Sequence, residues 1–402
     1  MSARILILTN GPLARNPRVV KEATALGAAG YSVTVLGVRN HAASVPLDAE
    51  LAVGAPFTHR WIDLLSGPQA WIRRAAVRLA RDAAHRLRLP SIHSLGPASA
   101  LLRVARAQPA DLVIVHNEIA HWAGVRLLGE GRRVAADFED WHSEDLLPAD
   151  RAGRPIALIR RVEHTLLHRA AYVTTTSEAL ATGLHARHGG HRPAVITNSF
   201  PLQSNPRTLD PFDSNAPRSF LWFSQTTGPG RGLEFFLAAW ARVSRPSKVV
   251  LIGEVCAGYD RHLLSLLPEG LRHRLSFLPP VSPGALPGVI AGHDIGLALE
   301  LNEPENKNLT ASNKIFQYLG AGLAVVASDT AGQSEVLARD PNAGILVSLH
   351  DTAAFSARLE DLLADPAALR ARQFAARRLA ESRYCWEHES LRLLESVKRA
   401  LS

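Results

Sequence analysis

RILILTNGPLARNPRVVKEATALGAAGYSVTVLG, residues 4–37, decides the fold. Its first part, RILILT (4–9), is a continuous apolar run of the buried-strand type. The loop NGPLAR follows, and Asn16 is placed to cap a helix whose first position is Pro17. Val19, Val20, Ala23 and Leu26 keep helical spacing, and Gly30 ends the helix. SVTVLG (32–37) is a second strand. Strand, crossover helix and strand in so short a span make a βαβ unit, which requires parallel strands.

The alternation continues along the chain. DLVIVH (111–116), RVAADF (132–137), AYVTTT (171–176) and AVIT (194–197) read as strands, most of them separated by helical stretches. Between 199 and 218 the texture changes: four prolines and no apolar periodicity mark an interdomain linker. A second series then begins. SFLWFSQ (219–225), KVVLIGE (248–254), LSFLPP (275–280), DIGLALEL (294–301) and LAVVASD (323–329) are strands, with helices over 231–243 and 313–320. From 351 onward the chain is charged, amphipathic and helical. The expectation is α/β: two Rossmann-like doubly wound domains facing across a cleft. We assign 1–200 to an N-terminal Rossmann-like domain, 201–218 to the linker and 219–380 to a C-terminal Rossmann-like domain. Residues 381–402 form a C-terminal helix expected to pack back toward the N-terminal domain.

The bulk numbers agree with this plan. A chain of 402 residues suits two cores of about 200 residues each. Apolar residues make up 47% and charged residues 20%, which is ordinary for a globular protein and argues against disorder. Cys256 and Cys385 give neither a disulfide framework nor metal-ligand spacing, so a reducing cytoplasm is the simplest location. The apolar run at the start is too short for a signal sequence, and no stretch reaches the length of a spanning helix. The net charge of +8 favours anionic partners. No helix-turn-helix, zinc-finger or RNP-like motif accompanies it, so nucleic acid is not expected.

In such folds ligands bind outside the carboxyl ends of the strands, so the loops there carry the chemistry. The loop after 294–301 leads to Thr310 and Ser312, either of which can cap the next helix. The freed N–H groups attract an anion, and Lys314 adds a mobile point charge suited to phosphate. The loop after 219–225 reads TTGPGRGLEFFLAAW, where Gly228, Gly230 and Gly232 let backbone approach a ligand closely. Arg231 stands at the start of a helix there. GPGRG with Glu254 about 20 residues on also resembles a broken dinucleotide fingerprint. The misplaced third glycine and the bulky arginine make that hydride-transfer reading weak, and two cationic loops fit a diphosphate better.

Taken in order, several stretches resemble the GT-B glycosyltransferases of family 4. They are NPRVVKEATALGAAGYSVTVL, DLVIVHNE, VEHTLLHRAAYVTTTSEALA with VITNS, FSQTTGPGRGLEFFLAAW, HDIGLAL and SNKIFQYLGAGLAVVASDTAGQSEVL. The resemblance implies a retaining, metal-independent enzyme that uses a nucleotide-sugar donor without any cofactor. It implies that Arg231 and Lys314 hold the donor diphosphate, with Gly230, Gly232, Ser312 and Asn313 around it and Gly11 approaching from the first domain. His116 is expected to hydrogen-bond the transferred sugar or the attacking hydroxyl, and Glu335 matches an acidic position near the donor. The pattern is also broken. The family's Gly-Arg pair appears as Ser224-Gln225, and its two glutamates fall on Leu309 and Gln317. Gln317 keeps hydrogen-bonding capacity for a ribose diol but loses the charge-assisted strength.

The cluster Asp137, Glu139, Asp140 and His142 is read as lining the acceptor pocket, with a divalent-metal site as the alternative. AWIRRAAVRLARDAAHRLRL (70–89) reads as an amphipathic basic helix. Trp71, Ile72, Ala75, Ala76 and Leu79 lie opposite arginines 73, 74, 78 and 81, and Arg151, Arg154, Arg160 and Arg161 add charge nearby. Such a helix either lies on an anionic membrane surface or packs on the domain. The expected activity is transfer of a sugar to a glycan or lipid-linked acceptor in cell-envelope or exopolysaccharide synthesis, by a protein peripheral on the inner membrane face. The alternatives are a nucleotide-sugar epimerase and a non-catalytic donor-binding protein.

Overall fold

The computed structural model describes residues 2–202 and 216–402, and most of the expected linker lies outside the described residues. The chain divides into two units, Met1–Ile196 with Ser390–Ser402, and Thr197–Glu389. The helix Trp386–Leu401 straddles this division.

The first unit holds β1 (Arg4–Leu8), β2 (Ser32–Arg39), β3 (Thr58–Asp63), β4 (Leu112–His116), β5 (Val134–Phe138), β6 (Val173–Thr175) and β7 (Ala194–Val195). They form one sheet in the order β3-β2-β1-β4-β5-β6-β7. Every pairing is parallel, with Ile5 opposite Val33 on one side and Leu112 on the other. β4 and β5 are buried along their whole length, as strands covered on both faces must be. β3 had no apolar signature because it is the edge strand, where THRWID alternates between exposed and sheltered positions.

The helix Pro17–Ala28 starts where the sequence places it, with Pro17 in the first turn. The expected cap is not formed. Asn16 makes no side-chain capping bond; its Nδ2 instead donates to Pro12 O at 2.6 Å, closing the turn ahead of the helix.

The second unit holds β8 (Arg218–Thr227), β9 (Ser247–Val255), β10 (Leu275–Leu278), β11 (Ile295–Ala298), β12 (Ala324–Ser328) and β13 (Gly344–Val347). The order is β10-β9-β8-β11-β12-β13, again all parallel. Successive residues of β8 serve opposite cores. Phe220 and Trp222 join Leu233, Phe236 and Trp240 on one face; Leu221 and Phe223 join Ile315, Phe316 and Leu319 on the other. Both units are therefore doubly wound α/β folds. The strand order reverses between β1 and β4 in the first and between β8 and β11 in the second. Those reversals are where an open α/β sheet offers a binding crevice.

Gly296 sits in β11 where the ring of Tyr318 crosses it. A Cβ there would lie 2.2 Å from Tyr318 Cγ, and Tyr318 Oη is tied to Leu221 O at 3.2 Å. Gly296→Ala should therefore cost about 1–3 kcal/mol by overpacking, read as a lower urea midpoint. Gly320→Ala, where the added carbon meets nothing within 4 Å, should leave the midpoint unchanged or raise it.

Candidate functional site

At the reversal in the first unit, the ends of β1 and β4 are stitched by Asn117. Its Oδ1 accepts from Thr9 Oγ1 at 2.9 Å and from Asn10 N at 3.3 Å. Asn117 takes φ +66°, a left-handed conformation that few non-glycine residues adopt. Gly11 follows in the turn after β1, half-buried, with room for a Cβ only against Asn16 Nδ2 at 3.0 Å.

His116 is at the carboxyl end of β4, as the sequence places it, but it is enclosed. Nε2 lies 2.5 Å from Glu22 Oε2, and Nδ1 lies 3.2 Å from Asp137 Oδ2. Arg18 completes the group. Its Nε and Nη2 each donate to Asp137 at 2.7 Å, and Nη1 donates to Ile196 O at 2.9 Å. Thr174 Oγ1 donates to Asp137 at 2.6 Å. All four charged side chains are buried. Burial opposes ionisation of His116, but the Glu22 and Asp137 carboxylates outweigh it and push its pKa up to about 10. Burial likewise opposes the Asp137 charge, and Arg18 and His116 overcome it, holding that carboxyl far below the usual range. Arg18⁺, His116⁺, Asp137⁻ and Glu22⁻ form a neutral buried quartet.

This arrangement bears on two expectations. Asp137, expected on the acceptor side, directs its oxygens at Arg18, Thr174 and His116. His116 is enclosed: Nε2 is hydrogen-bonded to Glu22, and Nδ1 faces Asp137 Oδ2 at 3.2 Å without a hydrogen bond of good geometry. Arg18 and Glu22 escaped the sequence reading. Their signal was two opposite charges four residues apart on the helix face that also carries Val19, Ala23 and Leu26.

The rest of the acidic cluster is partly enclosed. Glu139 and Asp140 are half-buried just beyond β5, and burial with the Asp140 charge raises the Glu139 carboxyl above the ordinary range. His142 is buried, and although burial opposes its charge, Glu118 and Asp140 raise its pKa. A polar pocket of about 390 Å³ opens nearby, lined by Asn10, Arg81, His85, Glu118 and Arg154.

The basic helix runs from Pro68 to Arg86, buries only Ala70 and Ala84, and exposes both apolar and basic side chains. Arg73 donates to Asp63 O, Arg74 to Leu64 O and Arg81 to Ser94 O, while the apolar residues face out. Trp71 is 66% exposed, Ile72 59% and Leu79 68%. Ile72, Ala76 and Val77 also line a groove of about 690 Å³ with Pro97 and Ala100. Arg151, Arg154 and Arg160 do not extend the basic surface freely, because they pair with Glu144, Glu118 and Glu144.

In the second unit, β8 runs into the glycine turn, where Gly230 and Gly232 have φ +75° and +73°. Arg231 stands between them, ahead of the helix Leu233–Trp240. Ser312 caps the helix Asn313–Ala321 by accepting from Lys314 N. Lys314 is only 7% exposed; its Nζ donates to Glu300 Oε1 at 3.1 Å and lies 5.5 Å from the centre of the Trp222 ring. Lys307 Nζ donates to Gly230 O at 3.1 Å, bracing the glycine turn. Burial would raise the Glu300 carboxyl, but Lys314, Lys307 and Arg231 together lower it. The structure thus brings Arg231 and Lys314 into one electrostatic group, and adds Lys307 and Glu300, which the sequence reading passed over. Gln317 is half-buried on the Lys314 helix, one turn further along. Glu335 lies on another helix, Ala331–Leu337, and its charge is felt at Tyr384.

Residues 217–365 match the family described as glycosyl transferases group 1. D-inositol 3-phosphate glycosyltransferases of Rhodococcus opacus (strain B4) and Nocardia farcinica (strain IFM 10152) are each 33% identical, over 131 and 141 residues. Those matches cover 33% and 35% of this chain but only 28% and 29% of the relatives, so the chain spans under a third of the curated proteins it matches. Among solved structures, sucrose-phosphate synthase from Thermosynechococcus elongatus aligns with a TM-score of 0.71 at 16% identity, over 99% of this chain and 98% of that one. Anabaena HepE in complex with UDP and glucose aligns with a TM-score of 0.72 at 17% identity, over 98% and 99%.

The raised pKa of His116 has a consequence for stability. Its folded value of about 10 lies above the ordinary 6.5, so the stabilisation is complete below about 6.5 and is lost as the pH rises through about 10. Wild-type stability to urea should therefore fall between pH 7 and pH 10, and His116→Gln should flatten that part of the profile. Removing one member of a buried ionic group costs about 3–5 kcal/mol, so Arg18→Met should be severely destabilised at every pH in this range.

Residues 217–365 are thus similar to the group 1 glycosyl transferases, in a chain whose two doubly wound units have the GT-B fold.

Proposed function

We propose that the protein is a retaining glycosyltransferase moving a sugar from a nucleotide-sugar donor to a glycan or lipid-linked acceptor. The observation that carries this reading is the cation group Arg231, Lys307 and Lys314 at the carboxyl ends of β8 and β11. When the bond between the anomeric carbon and the donor phosphate breaks, its electron pair stays on the phosphate oxygen. Preorganised cations and the capped start of Asn313–Ala321 stabilise that charge as it forms. The acceptor oxygen bonds to the anomeric carbon from the same face, and its proton passes to the leaving phosphate. The relatives named for inositol phosphate and the HepE complex with UDP support a nucleotide donor and a polar, anionic acceptor. The pocket with Arg81, His85 and Arg154 in the first unit suits such an acceptor. In this reading His116 acts from behind the site, its imidazolium fixing Asp137 and Glu22.

Gln317 and Leu309 in place of the family's glutamates favour a second reading, a donor-binding protein without turnover. Hydrolysis of nucleotide sugars by the purified protein separates the two. Lys314→Ala should lower that turnover by about 100-fold or more, in line with removal of one charge-stabilising donor. Gln317→Ala should weaken donor binding about 5-fold, near the value of one neutral hydrogen bond. Absence of both turnover and nucleotide-sugar binding, tested across UDP-, GDP-, ADP- and TDP-sugars by thermal shift, would sink the leading reading.

Among the described residues no helix is long and apolar enough to cross a membrane. The outward Trp71, Ile72 and Leu79 beside exposed Arg78 and Arg86 support peripheral attachment to an anionic surface, where the apolar side chains enter the headgroup layer. Co-sedimentation with phosphatidylglycerol vesicles is expected, and with phosphatidylcholine vesicles it is not. The triple change Trp71→Ser, Ile72→Ser and Leu79→Ser should abolish it while the nucleotide-sugar hydrolysis remains.

A further inference from the structure

Glu300 is an odd residue to find among cations that are read as a phosphate site. It follows β11 by two positions, is 8% exposed, and its Oε1 takes the ammonium of Lys314 at 3.1 Å. The backbone fixes it there: Glu300 N lies 2.8 Å from Ser328 Oγ, which also receives Gln333 Nε2 at 2.8 Å. The glycine turn is packed against the same loop. A Cβ on Gly232 would lie 3.3 Å from Leu299 Cβ, so Arg231 and Glu300 stand on adjoining segments, and Lys307 holds Gly230 O from the third side. A carboxylate in this position repels any phosphate that the three cations attract.

That repulsion is not equal for the two nucleotides involved. In a nucleotide sugar the diphosphate is esterified at both ends and carries two negative charges. Once the sugar leaves, the freed terminal phosphate ionises again with a pKa near 6, so at neutral pH the product carries about one charge more. Three cations and one carboxylate give the cluster a side-chain charge of about two, which matches the donor and undershoots the product. The same cluster without Glu300 would favour the product. Product release limits the turnover of many enzymes, so a residue that loosens the product acts directly on kcat.

We propose that Glu300 is a specificity-determining residue that sets the preference of this site between nucleotide sugar and nucleoside diphosphate, and so speeds departure of the spent diphosphate. The inference rests on the reading of the Arg231, Lys307 and Lys314 group as the donor diphosphate site. It gives the second unit a carboxylate whose task differs from that of the glutamates replaced by Leu309 and Gln317, because Glu300 acts on Lys314 and the phosphates.

The test uses the full chain, with UDP and UDP-glucose as probes and GDP and GDP-mannose as a second pair. Dissociation constants are measured for the wild type, Glu300→Gln and Glu300→Asp, with circular dichroism and thermal melting to confirm folding. Glu300→Gln should tighten the nucleoside diphosphate about tenfold more than the nucleotide sugar, the value of about 1.4 kcal/mol for one partly screened charge. The gain should shrink as salt rises. Turnover should show lower KM together with lower kcat and stronger inhibition by the diphosphate, while Glu300→Asp, which keeps the charge, should retain the wild-type ratio. An unchanged ratio in Glu300→Gln, or equal weakening of both ligands, overturns the proposal while leaving the donor site intact. If the wild type binds neither ligand of either pair, the donor-site reading fails and the role of Glu300 fails with it.

Discussion

A charge removed from water has to be met by an opposite charge or by hydrogen bonds, and this requirement shapes both units at the same topological point. In the first unit the helix after β1 lays Arg18 and Glu22 inward, and the ends of β4 and β5 supply His116 and Asp137. None of the four is stable in that position without the others. In the second unit Glu300 and Lys314 answer each other beyond β11. Both groups lie where the strand order reverses, because that is where helix starts and strand ends bring unpaired backbone dipoles together.

The two groups differ in what they leave available. The quartet of the first unit is neutral, with Asp137 also holding Thr174, and it lies beside Asn117, Glu118 and Glu139 in the chain. The cluster of the second unit keeps excess positive charge, since Arg231 and Lys307 stand beside the Glu300–Lys314 pair. Excess charge of one sign held on rigid elements is suited to binding an anion, whereas a neutral network is suited to fixing geometry.

The basic helix Pro68–Arg86 shows how composition and structure diverge. Its sequence is compatible with an apolar face turned inward and arginines turned to water. The fold turns Trp71, Ile72 and Leu79 outward as well, while Arg73, Arg74 and Arg81 reach the backbone carbonyls of Asp63, Leu64 and Ser94 and Arg74, Arg78 and Arg81 stay exposed. Small alanines, Ala70 and Ala84, fill the buried side instead. An apolar surface facing outward is the result, and no amphipathicity argument applied to one helix could have chosen between the two orientations.

By itself the sequence determined the alternation of buried strands and helices, hence two doubly wound α/β units, because a parallel strand covered on both faces must be apolar along its length. Runs such as RILIL and AVVAS left no other reading. It also located the glycine turn at 228–232 and narrowed the helix cap to Thr310 or Ser312, of which the structure uses Ser312, since positive φ and capping are local chemistry. Two of the edge strands were not legible: THRWID of β3 was too polar and GILV of β13 too short to stand out, whereas the edges β7 and β10 were read from AVIT and LSFLPP. Only the tertiary structure decided which charges meet. Arg18 and Asp137 are 119 residues apart, and Lys307 reaches back 77 residues to Gly230. Whether a titratable side chain faces water, a ligand or a buried partner depends on distances between segments that no local pattern encodes, and that is why His116 and Glu300 acquired their roles only in the folded chain.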